Sequence, residues 1–162
     1  MFEDVDITQM ASATQSQEVT EVENDKEETT ETTEVTKSEP VKFFSKLFEA
    51  REIAHIYHLQ VKGDDGSHAS HLALQSFYEG VLELIDELIE VYQGQYEIVE
   101  GYENLNMKEV STDKIQYFIS LAEFIKSTRH SALLEEDVHL QAIVDDILIL
   151  IYKTLHKLRF NK

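Results

Sequence analysis

Residues 67–94 read SHASHLALQSFYEGVLELIDELIEVYQG, and this stretch decides the fold. Ser67 is a residue type that caps helix N-termini, and Gly94 is one that ends helices. Between them the apolar residues recur every three or four positions, which is the spacing of a helix with one face turned to a core. The predicted core positions are Leu72, Phe77, Val81, Leu84, Ile85 and Leu88. The stretch therefore predicts a long amphipathic helix.

Three further segments have helical spacing, at residues 41–61, 111–130 and 133–160. Residues 147–151 read ILILI, and a helix that is apolar on every side is buried in a bundle centre or against another subunit. The connection over residues 95–110 is longer than the other two. Four helices with one long middle connection match the ferritin-like arrangement. We therefore predict an all-α, ferritin-like four-helix bundle over residues 41–162.

The N-terminal segment, residues 1–40, differs in composition from the rest of the chain. Residues 1–39 hold twelve acidic and two basic residues, and Phe2 is their only aromatic residue. Such a segment cannot bury enough apolar surface to offset the entropy lost on ordering. We predict a disordered acidic tail, rich in Thr and Glu, that either keeps the bundle in solution or binds a partner or cations.

The composition excludes several kinds of chemistry. The chain has 162 residues and no cysteine, which excludes disulfides, thiolate zinc sites and cysteine nucleophiles. A net charge of −18 repels phosphate and makes nucleic-acid binding an unfavourable hypothesis. The acidic start does not resemble a secretory signal, and no apolar run is long enough to cross a membrane. We therefore expect a cytoplasmic protein that does not associate with membranes.

Residues His71, Asp86 and Glu90 lie on the predicted second helix and are of types that bind metal ions. At 100° per residue they fall within a sector of about 100°, so they face the same way. His71 and Asp86 are nevertheless separated by about 22 Å along the helix axis, which is too far for one ion. His71, together with His58 at the end of the first helix, can share an ion with the two acids only if the helix lies antiparallel to a copy of itself. That arrangement gives two equivalent sites per dimer.

A second metal arrangement is also compatible with the sequence. Glu52 and His55 on the first helix, and Glu136 and His139 on the fourth, both follow the Glu-x-x-His pattern that di-iron bundles place on two helices. A chain with seven histidines and this much glutamate contains such a pattern easily by chance. The pattern alone is therefore weak support for a site within one subunit.

Residues 55–63, HIYHLQVKG, resemble the end of the first helix of the Dps-like miniferritins. The resemblance implies that His58 and His71 bind iron from one subunit, and that Asp86 and Glu90 complete the site from the two-fold-related subunit. In that family these four residues are both the metal ligands and the catalytic residues.

Two of the departures from the family pattern bear on the ligands of the site. The interval from His58 to His71 is one residue longer than usual, which leaves His68 as an alternative to His71. Gln75 stands where the family often has an aspartate.

The resemblance implies a function. Fe(II) would bind at the inter-subunit site, where Zn(II) or Mn(II) would also suit two imidazoles and two carboxylates, and peroxide or oxygen would oxidise it. The iron would then be stored inside a homo-oligomer, either a dimer or a larger shell. The core is also similar to uncharacterised helical proteins of tailed phages, which would place the protein in host cytoplasm or in a virion. The alternative function is therefore a non-catalytic ferritin-like bundle that serves as a viral or accessory structural or interaction protein.

Overall fold

The computed structural model describes residues 28–62, 68–105, 107 and 110–161, with side chains from residue 39 onward. Its described part contains four helices and no strand. The helices are α1 (Glu28–Leu59), α2 (His68–Gln95), α3 (Lys114–Ala132) and α4 (Val138–Phe160). The all-α four-helix fold predicted from the sequence is confirmed.

The four helices occupy the corners of a bundle. Helix α1 packs against α2 and α3, and α4 packs against the same two helices. In the described part of the chain, no Cα atom of α1 lies within 8 Å of one in α4, and none of α2 within 8 Å of one in α3, so these two pairs lie on the diagonals. The consecutive pairs α1–α2 and α3–α4 are therefore helical hairpins that pack side by side.

The connection of residues 96–113 crosses the length of the bundle. Its first residue, Tyr96, donates a hydrogen bond to Asp137 beside the start of α4. Further along, the N–H of Glu103 donates to Oγ of Ser45 on α1 at 2.9 Å. Near its end, Thr112 borders the same groove as Tyr57, close to the C-terminus of α1. Because the connection passes from one end of the bundle to the other, α2 and α3 run parallel, as the predicted crossover requires.

Core packing and a side-chain cap stabilise these helices. Phe77 of α2 is fully buried and its ring meets that of Phe118 of α3 edge-on at 4.8 Å. At the start of α3, the side chain of Asp113 accepts a hydrogen bond from the N–H of Gln116 at 2.9 Å and so caps the helix.

Leu72, predicted as a core residue, is instead 45 % exposed. It lies about 140° around α2 from Phe77 at 100° per residue, which turns it away from the core.

The apolar segment 147–151 is buried on only part of its circumference. Ile147, Leu148 and Ile151 are buried, whereas Ile149 is 47 % exposed and Leu150 is half-buried. Two helices, α2 and α3, cover α4, and a helix covered on two sides must turn one residue of each turn outward. A single chain therefore does not bury this segment on every side, and burial of its outer side against another subunit stays a prediction.

Helix α1 begins at Glu28, before the predicted start of the bundle at residue 41, and continues through Pro40, which is buried. The predicted disorder of the acidic tail falls mainly on residues 1–27, which lie outside the described residues. None of the four helices is both long and apolar enough to cross a membrane, as far as the described residues go.

Candidate metal site at the junction of the first two helices

His58 and His71 lie together where α1 ends and α2 begins. Their rings stack with centroids 3.8 Å apart and planes inclined by 30°. Nδ1 of His58 lies 3.1 Å from the backbone carbonyl oxygen of His71. Both residues are half-buried, whereas His68, the alternative to His71, is exposed. The structure therefore pairs His58 with His71.

The hydrogen bond determines which nitrogen of His58 is free. A carbonyl oxygen only accepts hydrogen bonds, so Nδ1 of His58 must carry the proton and donate it. In a neutral ring Nε2 then keeps its lone pair. Histidines that bind metals generally have this arrangement, with the second ring nitrogen donating to a carbonyl or carboxylate that fixes the ring.

Tyr78 and His55 lie beside the histidine pair. The ring of Tyr78, seven residues after His71 on the same face of α2, lies 5.3 Å from the ring of His58 and 4.4 Å from that of His55. The guanidinium carbon of Arg51 lies 5.8 Å from the centroid of Tyr78, and Arg51 forms an ion pair with Glu52. Sequence reasoning missed Tyr78, although its two-turn spacing from His71 was a usable signal.

Asp86 and Glu90 lie elsewhere on α2. Both are exposed, and they follow His71 by fifteen and nineteen residues, which corresponds to about 22 and 28 Å along the helix. No group of three or more potential metal ligands is found within the described part of a single chain. The two halves of the predicted site are therefore not joined within a subunit, and the inter-subunit arrangement stays a prediction.

The alternative Glu-x-x-His arrangement is not assembled either. Glu52 pairs with Arg51, and His55 packs on Tyr78 near the C-terminal end of α1. His139, one residue inside α4, lies at the opposite end of the bundle, where its Nε2 is 2.7 Å from Oε1 of Gln95. Because α1 and α4 are diagonal helices, their two motifs do not meet in this fold.

A polar network at that opposite end was not predicted. Asp137, only 6 % exposed, accepts hydrogen bonds from the hydroxyl of Tyr96 at 2.5 Å and from Nε2 of Gln95 at 2.7 Å. The hydrogen bond from Tyr96 holds the pKa of Asp137 below its usual value. The same bond raises the pKa of Tyr96 to about 12. No local sequence pattern indicates this network, because Asp137 lies about forty residues after Gln95 and Tyr96.

The acidic residues of α2 give its outer surface a single sign of charge. The helix contains no lysine or arginine. Its acidic residues, all exposed to solvent, are Glu79, Glu83, Asp86, Glu87 and Glu90. A surface of one sign attracts counter-ions and raises their local concentration. This surface favours cations over anions as ligands.

Comparison with known proteins places the chain in a family. The model of a family of unknown function, DUF5856, matches residues 58–158, which is more than half of the chain, so the protein belongs to this family. The match includes His58, His71, Asp86 and Glu90 but names no activity. No curated protein and no solved structure matches the chain.

Proposed function

We propose that the protein binds a divalent transition-metal ion, ferrous iron foremost, between two copies of the chain. His58 and His71 of one copy supply imidazole nitrogens, and Asp86 and Glu90 of a second copy supply carboxylate oxygens. The observation that supports this most is the contact between His58 and His71, with Nδ1 of His58 bound to a carbonyl and Nε2 left as a ligand.

The two histidines are close enough to reach one ion after a change of ring orientation. With metal–nitrogen bonds of about 2.1 Å, two nitrogens bound to one ion lie no more than about 4 Å apart. The rings are stacked with centroids 3.8 Å apart, so one ring must turn before both can direct a nitrogen at the same ion. Two imidazoles and two carboxylates are ligands that Fe(II), Zn(II) and Mn(II) accept, and the acidic surface of α2 favours the approach of a cation.

The required pairing has a definite symmetry. If His71 of one copy meets Asp86 of the other on antiparallel α2 helices, the two-fold axis passes midway between these two positions, that is, between Tyr78 and Glu79. Each dimer then holds two sites, one on either side of the axis. Oxidation of Fe(II) by peroxide or oxygen at these sites, followed by storage of the product, is the activity that the miniferritin resemblance adds to this proposal.

The first experiment measures Fe(II) oxidation by ultraviolet absorbance under air and with added peroxide. The test variant is His58→Ala/Asp86→Ala. The matched control is His130→Ala/Glu135→Ala, which removes one exposed histidine and one exposed acid away from the site. We expect oxidation above the buffer rate for the unaltered protein and the control, and at the buffer rate for the test variant. Equal rates in all three proteins would contradict an oxidising site at these residues.

Metal binding is measured separately from oxidation. Titration with Co(II), followed by its visible absorption, is expected to show one ion per chain in the unaltered protein and weaker binding by at least about tenfold in each of His58→Ala and Asp86→Ala. If His58→Ala loses binding and Asp86→Ala does not, the ion is held by the histidines of one copy and the second copy contributes no ligand. No binding in any protein would refute the proposal.

The rival function is a non-catalytic bundle that acts through its surface. It is favoured by a different observation, the apolar residues that α4 exposes to solvent. That function predicts that substitution of the four proposed ligands leaves association between chains unchanged, and the same variants measured by sedimentation test this point.

A further inference from the structure

Among the side chains that the structure describes, helix α4 exposes more large apolar ones than any other helix. Val138 is 72 % exposed, Ile149 and Tyr152 are each 47 % exposed, and Phe160 is 70 % exposed. Helix α3, of similar length, exposes no large apolar side chain, and α2 exposes only Leu72. We call the exposed line on α4 the α4 outer face; it comprises Val138, Ala142, Asp145, Asp146, Ile149, Tyr152, Lys153, His156 and Phe160.

The α4 outer face forms a ridge between two grooves. On the α2 side, a groove of about 490 Å³ is lined by Ser76, Ile149, Leu150 and Lys153, among others. On the α3 side, a groove of about 360 Å³ runs between Ile119 and Tyr152 and extends to Phe160. A ridge flanked by two grooves has the shape that a second helix packs against, because helices associate by inserting ridges into grooves.

Charge along the α4 outer face changes sign near its middle. The acids Asp145 and Asp146 lie before Ile149, and the base Lys153 lies after it, all of them exposed. Asp145 also pairs with Arg129 at 2.6 Å, yet its side chain remains 61 % exposed and can accept a further partner. Two such faces attract each other when antiparallel, because Asp145 of each copy then meets Lys153 of the other, and repel each other when parallel.

The apolar residues are spaced to match the same antiparallel arrangement. If Ile149 of one copy lies on Ile149 of the other, residues at equal distances on either side of it face each other. Asp145 then meets Lys153 and Ala142 meets His156. The two most exposed apolar residues, Val138 and Phe160, are each eleven residues from Ile149 and meet as well. Apolar and charged positions are thus complementary in one register.

We propose that the protein forms a two-fold symmetric dimer in which the α4 outer faces of two copies pack antiparallel with Ile149 on the axis. This dimer is distinct from the metal-binding pairing of the proposed function, which uses α2 and a different axis. Helix α4 is about 34 Å long and, with its flanking grooves, about 20 Å wide. Such a contact buries on the order of 700 Å² per copy, close to the area of a stable interface.

Single cysteines test the dimer, since the chain has none of its own. We expect Ile149→Cys in the full-length protein to form a disulfide-linked dimer under mild oxidation, because residues on the axis face their own copies within disulfide range. Val138→Cys and Phe160→Cys lie about 33 Å from their own copies. Each alone is expected to stay unlinked, and an equimolar mixture of the two is expected to link.

The matched control for cross-linking is Leu105→Cys. Leu105 is 41 % exposed and lies on the connection that runs along α1, diagonally across the bundle from α4. Cross-linking of Ile149→Cys no faster than that of Leu105→Cys would overturn the proposal. Self-linking of Val138→Cys would overturn the antiparallel orientation.

A charge substitution provides a second test that needs no cross-link. Ile149→Asp places two carboxylates across the axis and is expected to raise the dissociation constant of the α4 dimer at least about hundredfold, measured by sedimentation equilibrium. Leu105→Asp is expected to leave it unchanged, and circular dichroism checks that both variants remain helical. The cross-link at Ile149 is also expected in the His58→Ala/Asp86→Ala background, so failure of the metal site and failure of this dimer are distinguishable. Unchanged association of Ile149→Asp would overturn the proposal.

Discussion

The hydrogen bond from Tyr96 to Asp137 is expected to stabilise the fold by an amount that depends on pH. Tyr96→Phe removes the hydroxyl and nothing else. The pKa of Tyr96 rises from 10.0 to about 12 chiefly because its proton is held by Asp137. A rise of this size corresponds to about 2.7 kcal/mol. Because Tyr96 is 43 % exposed, water screens part of this, and we expect a loss of about 1–1.5 kcal/mol at pH 7.

The pH dependence of this loss follows from the two pKa shifts. A folded-state pKa raised to about 12 gives a stabilisation that is fully present below pH 10 and disappears as the pH rises towards 12. For Asp137 the folded-state pKa is lowered below 3.8, so its stabilisation is present above pH 3.8 and disappears as the pH falls through the lowered value. The difference between the unaltered protein and Tyr96→Phe should therefore shrink above pH 10.

The measurement is urea unfolding followed by far-ultraviolet circular dichroism at pH 7, 9, 10, 11 and 12. Tyr102→Phe is the matched control, since Tyr102 is 42 % exposed and its hydroxyl has no hydrogen-bond partner among the described residues. We expect this control to change stability by less than about 0.5 kcal/mol at pH 7 and 9, below the raised pKa of Tyr102. A Tyr96→Phe variant as stable as the unaltered protein at pH 7, or equally destabilised at pH 7 and pH 12, would refute the reasoning.

Three further substitutions test the packing by urea unfolding. Gly80→Ala is expected to stabilise by about 0.5–1 kcal/mol, because alanine favours helix and the new methyl group would lie 3.4 Å from the mobile end of Leu150. Phe77→Ala, in the fully buried core, is expected to cost about 3–5 kcal/mol. Arg129→Lys is expected to cost about 1–2 kcal/mol, because lysine cannot reproduce the three bonds that the guanidinium makes to Gln141 and Asp145.

Each of these predictions has a result that would contradict it. Gly94→Ala, where no atom lies within 4 Å of the added methyl group, reports helix propensity without a packing contribution. A Gly80→Ala variant less stable than the unaltered protein would mean that Leu150 cannot move. A loss below about 1 kcal/mol for Phe77→Ala would show that the core collapses around the cavity. An Arg129→Lys variant of unchanged stability would show that the contacts between α3 and α4 do not depend on the guanidinium.

The sequence predicted helices well where local signals were strong. Residues 67–94 were predicted as one helix, and α2 runs over His68–Gln95, because apolar spacing and end signals agreed there. The start of α1 was not predicted, because acidic composition indicated disorder while Glu28 onward is helical. Apolar periodicity predicted which face of each helix turns towards the core, but not how many neighbouring helices cover that face. That is why Leu72 was assigned to the core.

The candidate site was predictable only in part. The pairing of His58 with His71 was predicted from the resemblance to miniferritins and agrees with the contact between their rings. Its neighbours Tyr78 and Arg51 were not predicted, because helix-to-helix packing across α1 and α2 brings them there. The network of Tyr96, Asp137 and Gln95 depends on contacts between segments far apart in the chain, which a single sequence does not encode in any local pattern.

The crossing connection has a consequence for how the chain can be divided. Residues 96–113 are the one covalent link between the α1–α2 hairpin and the α3–α4 hairpin, and each hairpin buries its apolar face against the other. A gene split within this link would produce two polypeptides, neither able to cover its own apolar face. The two fragments should therefore recover native helicity only when mixed. The protein can be regarded as an obligate pair of half-proteins joined end to end in one chain.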